Sequence, residues 1–229
     1  MLLRPEDHER IHVAIEQAEK KTSGEIVAVV ARECSDYWEV PLVWGVGAAL
    51  IAPAAALLAG AWPALVGQLG SGWVAAHAGS VQAAVSEALT AYVWIQAVLF
   101  VATALVVSVP PVRRFLTPRA LKNERVRRRA EEQFAAQGVR LTKGRTGLLI
   151  FASLAERRAE VIVDKAIAQA VPQAEWDGVL QVLIAGMKAG DPGAGFAEAI
   201  GKAGDLLARH APRRPGDHNE LPDTVIELE

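Results

Sequence analysis

The sequence predicts an α/β fold: a small sheet covered by helices, split by an inserted two-helix transmembrane hairpin. Three observations predict it. Short valine-rich strands alternate with amphipathic helices on either side of the chain's middle. No Asp, Glu, Lys or Arg occurs from Val40 to Ser86, nor again from Ala88 to Val112, with Glu87 alone between the two runs. A dense basic cluster follows at once. The 229 residues are 52% apolar and 22% charged, with positive mean hydropathy, which excludes an ordinary soluble enzyme. A net charge of -2 excludes the strongly basic footprint of a nucleic-acid binder. One cysteine, Cys34, leaves no intramolecular disulfide to staple the fold.

Residues 1–40 read as the first part of the α/β domain. Pro5 suits the first turn of a helix, and Ile11, Ala14, Ile15 and Ala18 recur on one face until Gly24 stops it. Glu25 to Ala31, EIVAVVA, is a nearly continuous apolar strand, the pattern of a strand covered on both faces. The opening residues carry no apolar signal-peptide region, so the first membrane segment is expected to act as its own insertion signal.

Residues 41–112 read as the hairpin, with spans at about 42–64 and 91–110, each matching the roughly 20 apolar residues a bilayer core requires. Trp44, Trp62, Tyr92 and Trp94 lie near the ends, at headgroup level, and a bilayer helix tolerates the internal Pro53. Two buried helices of a soluble bundle are the alternative. The connecting stretch 67–90 reads as a plain linker or as an interfacial helix.

Residues 113–210 complete the domain. Val126, Ala130 and Phe134 stripe a basic helix that ends near Gly138, Thr146 to Ser153 is a second buried strand, and Ala159 to Asp164 alternates as its hairpin partner. The intervening helix can act as a right-handed crossover, which makes the first two strands parallel. A helix from about Ala174 to Ala189 carries Trp176, Val179, Leu180, Leu183 and Met187. Asp191 and Pro192 then start another, striped by Phe196, Ala199, Ile200, Ala203 and Leu207. The acidic, proline-punctuated tail 211–229 reads as flexible, with TVIEL a short docking strand.

Arg113, Arg114, Arg119, Lys122, Arg125, Arg127, Arg128 and Arg129 crowd behind the second span, whereas the inter-span stretch has no Lys or Arg. That asymmetry predicts an inner-membrane protein with two spans and both termini cytoplasmic. The cluster reads as a topology signal that also contacts anionic lipid headgroups, ahead of an RNA site.

The motifs point weakly to chemistry. HERIH, His8 to His12, matches the zinc motif in which two histidines one turn apart bind metal and Glu9 acts as base, although its third ligand would have to be Glu16 or Glu25. Two histidines at a partly exposed helix end is the plainer reading. Cys34 has no histidine marked out as its base, and no Walker, G-x-S-x-G or G-x-G-x-x-G motif occurs. Glu25, Glu156, Glu160 and Asp164 lie at strand ends or on the hairpin's outer face, either around a divalent cation such as Ca or Mg or as solvated rim charges.

The segments TSGEIVAVVARECSDYWEVP, RRRAEEQFAAQG, RTGLLIFASLAERRAEVIVDKAI and the closing NELPD together resemble the TPM domain family, in its bacterial branch with a membrane hairpin inside the domain. The resemblance implies a compact α/β/α sandwich related to thylakoid-lumen proteins of photosystem II repair. It also implies divalent-cation binding and acid phosphatase activity in some members, and non-catalytic accessory roles in others. The family's opening Asp-x-Ala-Gly element is replaced here by RPEDHERIH. Glu25 and Asp164 match acidic positions of the family pattern and are the residues on which a metal is expected. The function expected is a membrane-anchored binding module for a membrane-protein complex, with a divalent-metal phosphatase and a zinc protease as alternatives.

Overall fold

The computed structural model describes residues 2–60, 81–142, 144–214 and 219–228, the side chains of 81–84 and 87 excepted. The chain divides into two compact units, Met1–Asp36 with Pro118–Glu229, and Tyr37–Thr117.

The first unit is an α/β/α sandwich. Its sheet has the order β3-β2-β1-β4, built from β1 (Ile26–Ala31), β2 (Leu148–Ser153), β3 (Arg158–Val163) and β4 (Ile226–Leu228). β1 and β2 run parallel, Ile26 opposite Leu148 through Ala31 opposite Ser153, and β3 folds back antiparallel on β2. Every residue of β1 and β2 is buried, which is why both strands read as continuous apolar runs. Ile26, Ala28, Val30, Leu148, Ile150 and Ala152 face the layer of α1 (Pro5–Glu19), α7 (Gln173–Ala189) and α8 (Pro192–His210). Val27, Val29, Ala31, Leu149 and Phe151 face Val126, Ala130 and Phe134 of α5 (Arg119–Ala136).

Proline and capping residues start the helices where the sequence places them. Pro5 opens α1, and the Asp191 carboxylate accepts the Ala194 N–H ahead of Pro192 in α8. One helix escapes the sequence pattern. Asp164 caps the six-residue α6 (Lys165–Ala170), its Oδ1 accepting the Lys165 N–H at 2.6 Å. The tail, expected to be flexible apart from a docking strand, is bonded to the domain at several places. TVIEL docks in cis, Val29 to Ala31 pairing with Ile226 to Leu228, so the otherwise open edge of β1 is closed by the chain itself.

Glu227 anchors that strand. It accepts the Leu2 and Leu3 N–H groups, each at 2.9 Å, and His8 Nε2–H at 2.9 Å. Burial pushes its carboxyl up, but these three donors hold it below the usual glutamate range. Glu227→Ala is expected to cost about 1–3 kcal/mol. It should also speed amide exchange at Arg32, whose N–H donates to Leu228 O at 3.0 Å; unchanged exchange there would show that β4 docks without its anchor.

The second unit contains two helices long and apolar enough to cross a membrane, α2 (Glu39–Leu58) and residues Ala88–Ser108 of α3 (Val81–Ser108). α2 starts and ends earlier than the apolar run alone suggests, and α3 begins well before its span, so 81–90 is helical. Trp62 and residues 67–80 lie outside the described residues. The two helices pack together where Gly45 admits the Phe100 ring, a Cβ there falling 2.9 Å from it. Leu42, Val43, Trp44, Leu50, Ile51, Val93, Trp94, Val98 and Leu105 remain exposed. The Thr90 and Ser108 hydroxyls donate to the carbonyls of Ser86 and Ala104 one turn earlier. The short α4 (Pro110–Leu116) follows, carrying Arg113, Arg114 and an exposed Phe115.

Candidate functional site

The end of α1, the turn into β1 and the tail surround an acidic cavity of about 180 Å³, lined by Glu16, Glu19, Glu25, Asn219, Asp223 and Arg213 among others. The turn is built to bring them there. Thr22 Oγ1 donates to Ala211 O at 2.6 Å and accepts the Gly24 N–H at 3.0 Å, while Thr146 Oγ1 donates to Ser23 O at 2.8 Å. A Cβ on Gly24 would meet Leu207 at 3.0 Å and Thr146 O at 3.1 Å, so only glycine fits comfortably.

Glu25 clasps the tail. Its two carboxylate oxygens accept the N–H groups of Glu220 at 3.2 Å and Leu221 at 3.3 Å. Asn219 Nδ2 donates to Asp223 Oδ1 at 2.5 Å, and His12 Nδ1–H donates to Asp223 O at 2.8 Å. Glu19 accepts the Ile26 N–H at 2.9 Å and shares a side-chain hydrogen bond with Asp223. Two carboxyl groups can share a bond only through a proton, and Glu19 holds it. Burial, then the charges of Glu25 and Asp223, push its pKa up to about 8 against the opposing Ile26 N–H. At neutral pH the cavity therefore contains a protonated carboxyl, Glu19, beside those of Glu16, Glu25 and Asp223.

The sequence-derived candidates are dispersed. Glu25 lines this cavity, but Asp164 lines a different one with Phe134, Arg140 and Arg145. Leu148 N–H donates to Glu25 O and Asp164 N–H donates to Gly147 O. The start of β2 therefore lies between the two residues, whose backbones stand two strand spacings, about 10 Å, apart. Glu156 sits at the opposite end of β2, receiving the Cys34 N–H at 3.2 Å and the Ser153 hydroxyl. Glu160 is half-buried on β3, and burial raises its pKa. Cys34 is no nucleophile at neutral pH, since burial pushes its thiol up to about 12. In HERIH, one nitrogen of His8 and one of His12 bond the tail, at Glu227 and Asp223. Among the described residues no three His, Cys, Asp or Glu are grouped to hold a metal ion.

On α5, Arg127 pairs with Glu131 at 3.0 Å and Arg129 with Glu132 at 3.2 Å, while Arg128 reaches Glu132 at 3.9 Å. Arg119, Lys122 and Arg125 lie on the same helix. Sequence reasoning missed Glu19, Asp223, Asn219 and Arg213. The available signal was NELPD, two of whose residues line the cavity.

Residues 112–206 match the family model described as the TPM domain. Over that stretch, which is part of the chain, the protein is similar to the TPM domain. Its fold is similar to the NMR structure of BA42 protein from the psychrophilic bacterium Bizionia argentinensis sp. nov.. The TM-score is 0.56 at 19% identity, over 98% of this chain and 94% of that one. At that identity the likeness shows the fold. No curated protein matches the chain. The match to the TPM domain covers α5, β2, β3 and most of the helical layer, whereas α1, the turn into β1 and the tail, which line the acidic cavity, lie outside it.

Proposed function

We propose that this protein is anchored in the inner membrane by α2 and α3, with both termini cytoplasmic, and works as a non-catalytic binding module for a membrane-protein complex, in assembly or quality control. The observation that carries this reading is the insertion of two apolar, outwardly exposed helices into an α/β domain whose acidic cavity is bonded to its own tail. The basic residues Arg113, Arg114, Arg119, Lys122, Arg125, Arg127, Arg128 and Arg129 support the orientation and supply anionic headgroup contacts.

The acidic lining of the cavity raises a second reading, a divalent-metal phosphatase, which its hydrogen bonds oppose. A hard cation such as Ca or Mg takes six or more oxygen ligands. Both Glu25 oxygens already accept backbone N–H groups, Glu19 carries a proton, and Asp223 is bonded by Asn219. The residues as arranged do not fit an ion. A zinc protease through His8, Glu9 and His12 has still less support, since the two histidines hold the tail.

The experiment pairs cross-linking in intact membranes with turnover. Specific membrane-protein partners should cross-link to the chain, which should resist alkaline extraction from membranes. Phosphomonoester hydrolysis with added Ca, Mg, Mn or Zn should be the same in the wild type and in a Glu19→Gln/Glu25→Gln variant. Metal-dependent turnover lost in a folded variant would replace this reading with the phosphatase.

A further inference from the structure

A second cavity in the α/β unit, about 360 Å³, has a different chemistry from the acidic one. Its apolar wall is Phe134, Ile162 and Ala168, and its cations are Arg140, Arg145 and Lys165. The Arg140 guanidinium carbon sits 5.7 Å from the Phe134 ring centroid, which positions that cation over the apolar wall. Arg145 adopts a left-handed backbone, φ 51°, which a non-glycine residue rarely holds without a local reason. Among the described residues none of these three cations lies within ion-pair distance of a carboxylate.

Asp164 also lines the cavity and supplies the second, independent observation. Its Oδ1 caps α6, but its Oδ2 is buried with no hydrogen-bond partner. A buried acceptor left unpaired is destabilising, so a ligand donor that satisfied it would gain affinity. Such a ligand needs three things: an oxyanion for the arginine forks, an apolar body for the Phe134 wall, and an N–H beside the anion for Asp164. We propose that this cavity binds the C-terminal carboxylate of a polypeptide whose last residue is apolar. A chain terminus has all three, its final amide N–H lying next to the carboxylate and the side chain. A phosphomonoester dianion would bring two negative charges beside the buried carboxylate with no N–H or O–H donor to offer it.

This names the chemistry of a partner and so rests on the binding-module reading, yet its test needs no complex. Acetyl-Gly-Gly-Val with a free carboxylate is titrated calorimetrically into the full chain in detergent micelles, beside the same peptide as its C-terminal amide. The shared apolar side chain cancels partition into the micelle. The acid should bind about tenfold or more tightly than the amide, and Arg140→Ala/Arg145→Ala should abolish the difference while keeping the wild-type thermal transition. Asp164→Asn, which still caps α6, should weaken the acid severalfold. Equal binding of acid and amide, undiminished binding by the folded double-arginine variant, or displacement of the peptide by equimolar inorganic phosphate would each overturn the inference. Membrane partners that still cross-link after such a failure would leave the binding-module reading intact.

Discussion

Gly186→Ala is expected to destabilise the protein by about 1–3 kcal/mol, read as a lower Tm of the full chain in detergent. α7 and α8 touch backbone to backbone there. A Cβ on Gly186 would fall 2.5 Å from Gly195 Cα, 2.8 Å from Gly195 N and 3.0 Å from Asp191 O. None of these is the movable end of a side chain, so the helices themselves must separate. α8 has little room to retreat, since a Cβ on Gly204 would already fall 2.5 Å from the Ala18 Cβ of α1. Separation would also strain the turn in which Asp191 N–H donates to Gly186 O at 3.0 Å. Gly178 supplies the control on the same helix. Nothing lies within 4 Å of its added Cβ, so Gly178→Ala should raise stability by about 0.5–1 kcal/mol through backbone entropy. Shifts of the same sign at both positions would show that helix propensity, not the close approach, sets the effect.

What could be read from the sequence divides along physical lines. β1 and β2 were legible because a strand covered on both faces must be apolar throughout, and α8 because Asp191 and Pro192 carry a start signal in their own chemistry. α6 was not, since six residues leave too little periodicity, and its cap Asp164 looks the same as any strand-end carboxylate. The acidic cavity was half legible. Glu25 stood out beside the TSG turn, but its neighbour Asp223 lies about 200 positions away, and only the docking of the tail brings the two to one place. HERIH shows the limit of a local motif: its spacing puts both histidines on one helix face, but what they bond, Glu227 and the Asp223 carbonyl, is decided by that same docking. The TPM resemblance supplied the layering that periodicity alone left open.

The tail's hold on that cavity makes stability depend on pH in a direction opposite to most carboxylates. Glu19 has an ordinary value of 4.5 when unfolded and about 8 in the folded chain, chiefly from burial. The folded state therefore binds the extra proton, and the stabilisation is fully present below about pH 4.5 and lost as pH rises through about 8. Once ionised, Glu19 can no longer give a proton to its bond with Asp223 and faces the charges of Glu25 and Asp223 as well. Lys20 and Arg213, which also line the cavity, temper that repulsion. Other groups titrate too. Glu160 is raised by burial and slopes the same way, whereas Asp7, Glu16 and Glu227 are lowered and lose their contribution only in acid. The difference between wild type and Glu19→Gln isolates one residue, because glutamine keeps an oxygen for the Ile26 N–H and cannot ionise. The two proteins should have nearly equal Tm at pH 5, and the variant should become progressively the more stable between pH 6 and 9, with slower amide exchange at Glu220 and Leu221. A Tm difference that stays flat across that range would mean that Glu19 is ionised in the folded chain and that the tail is held without its proton.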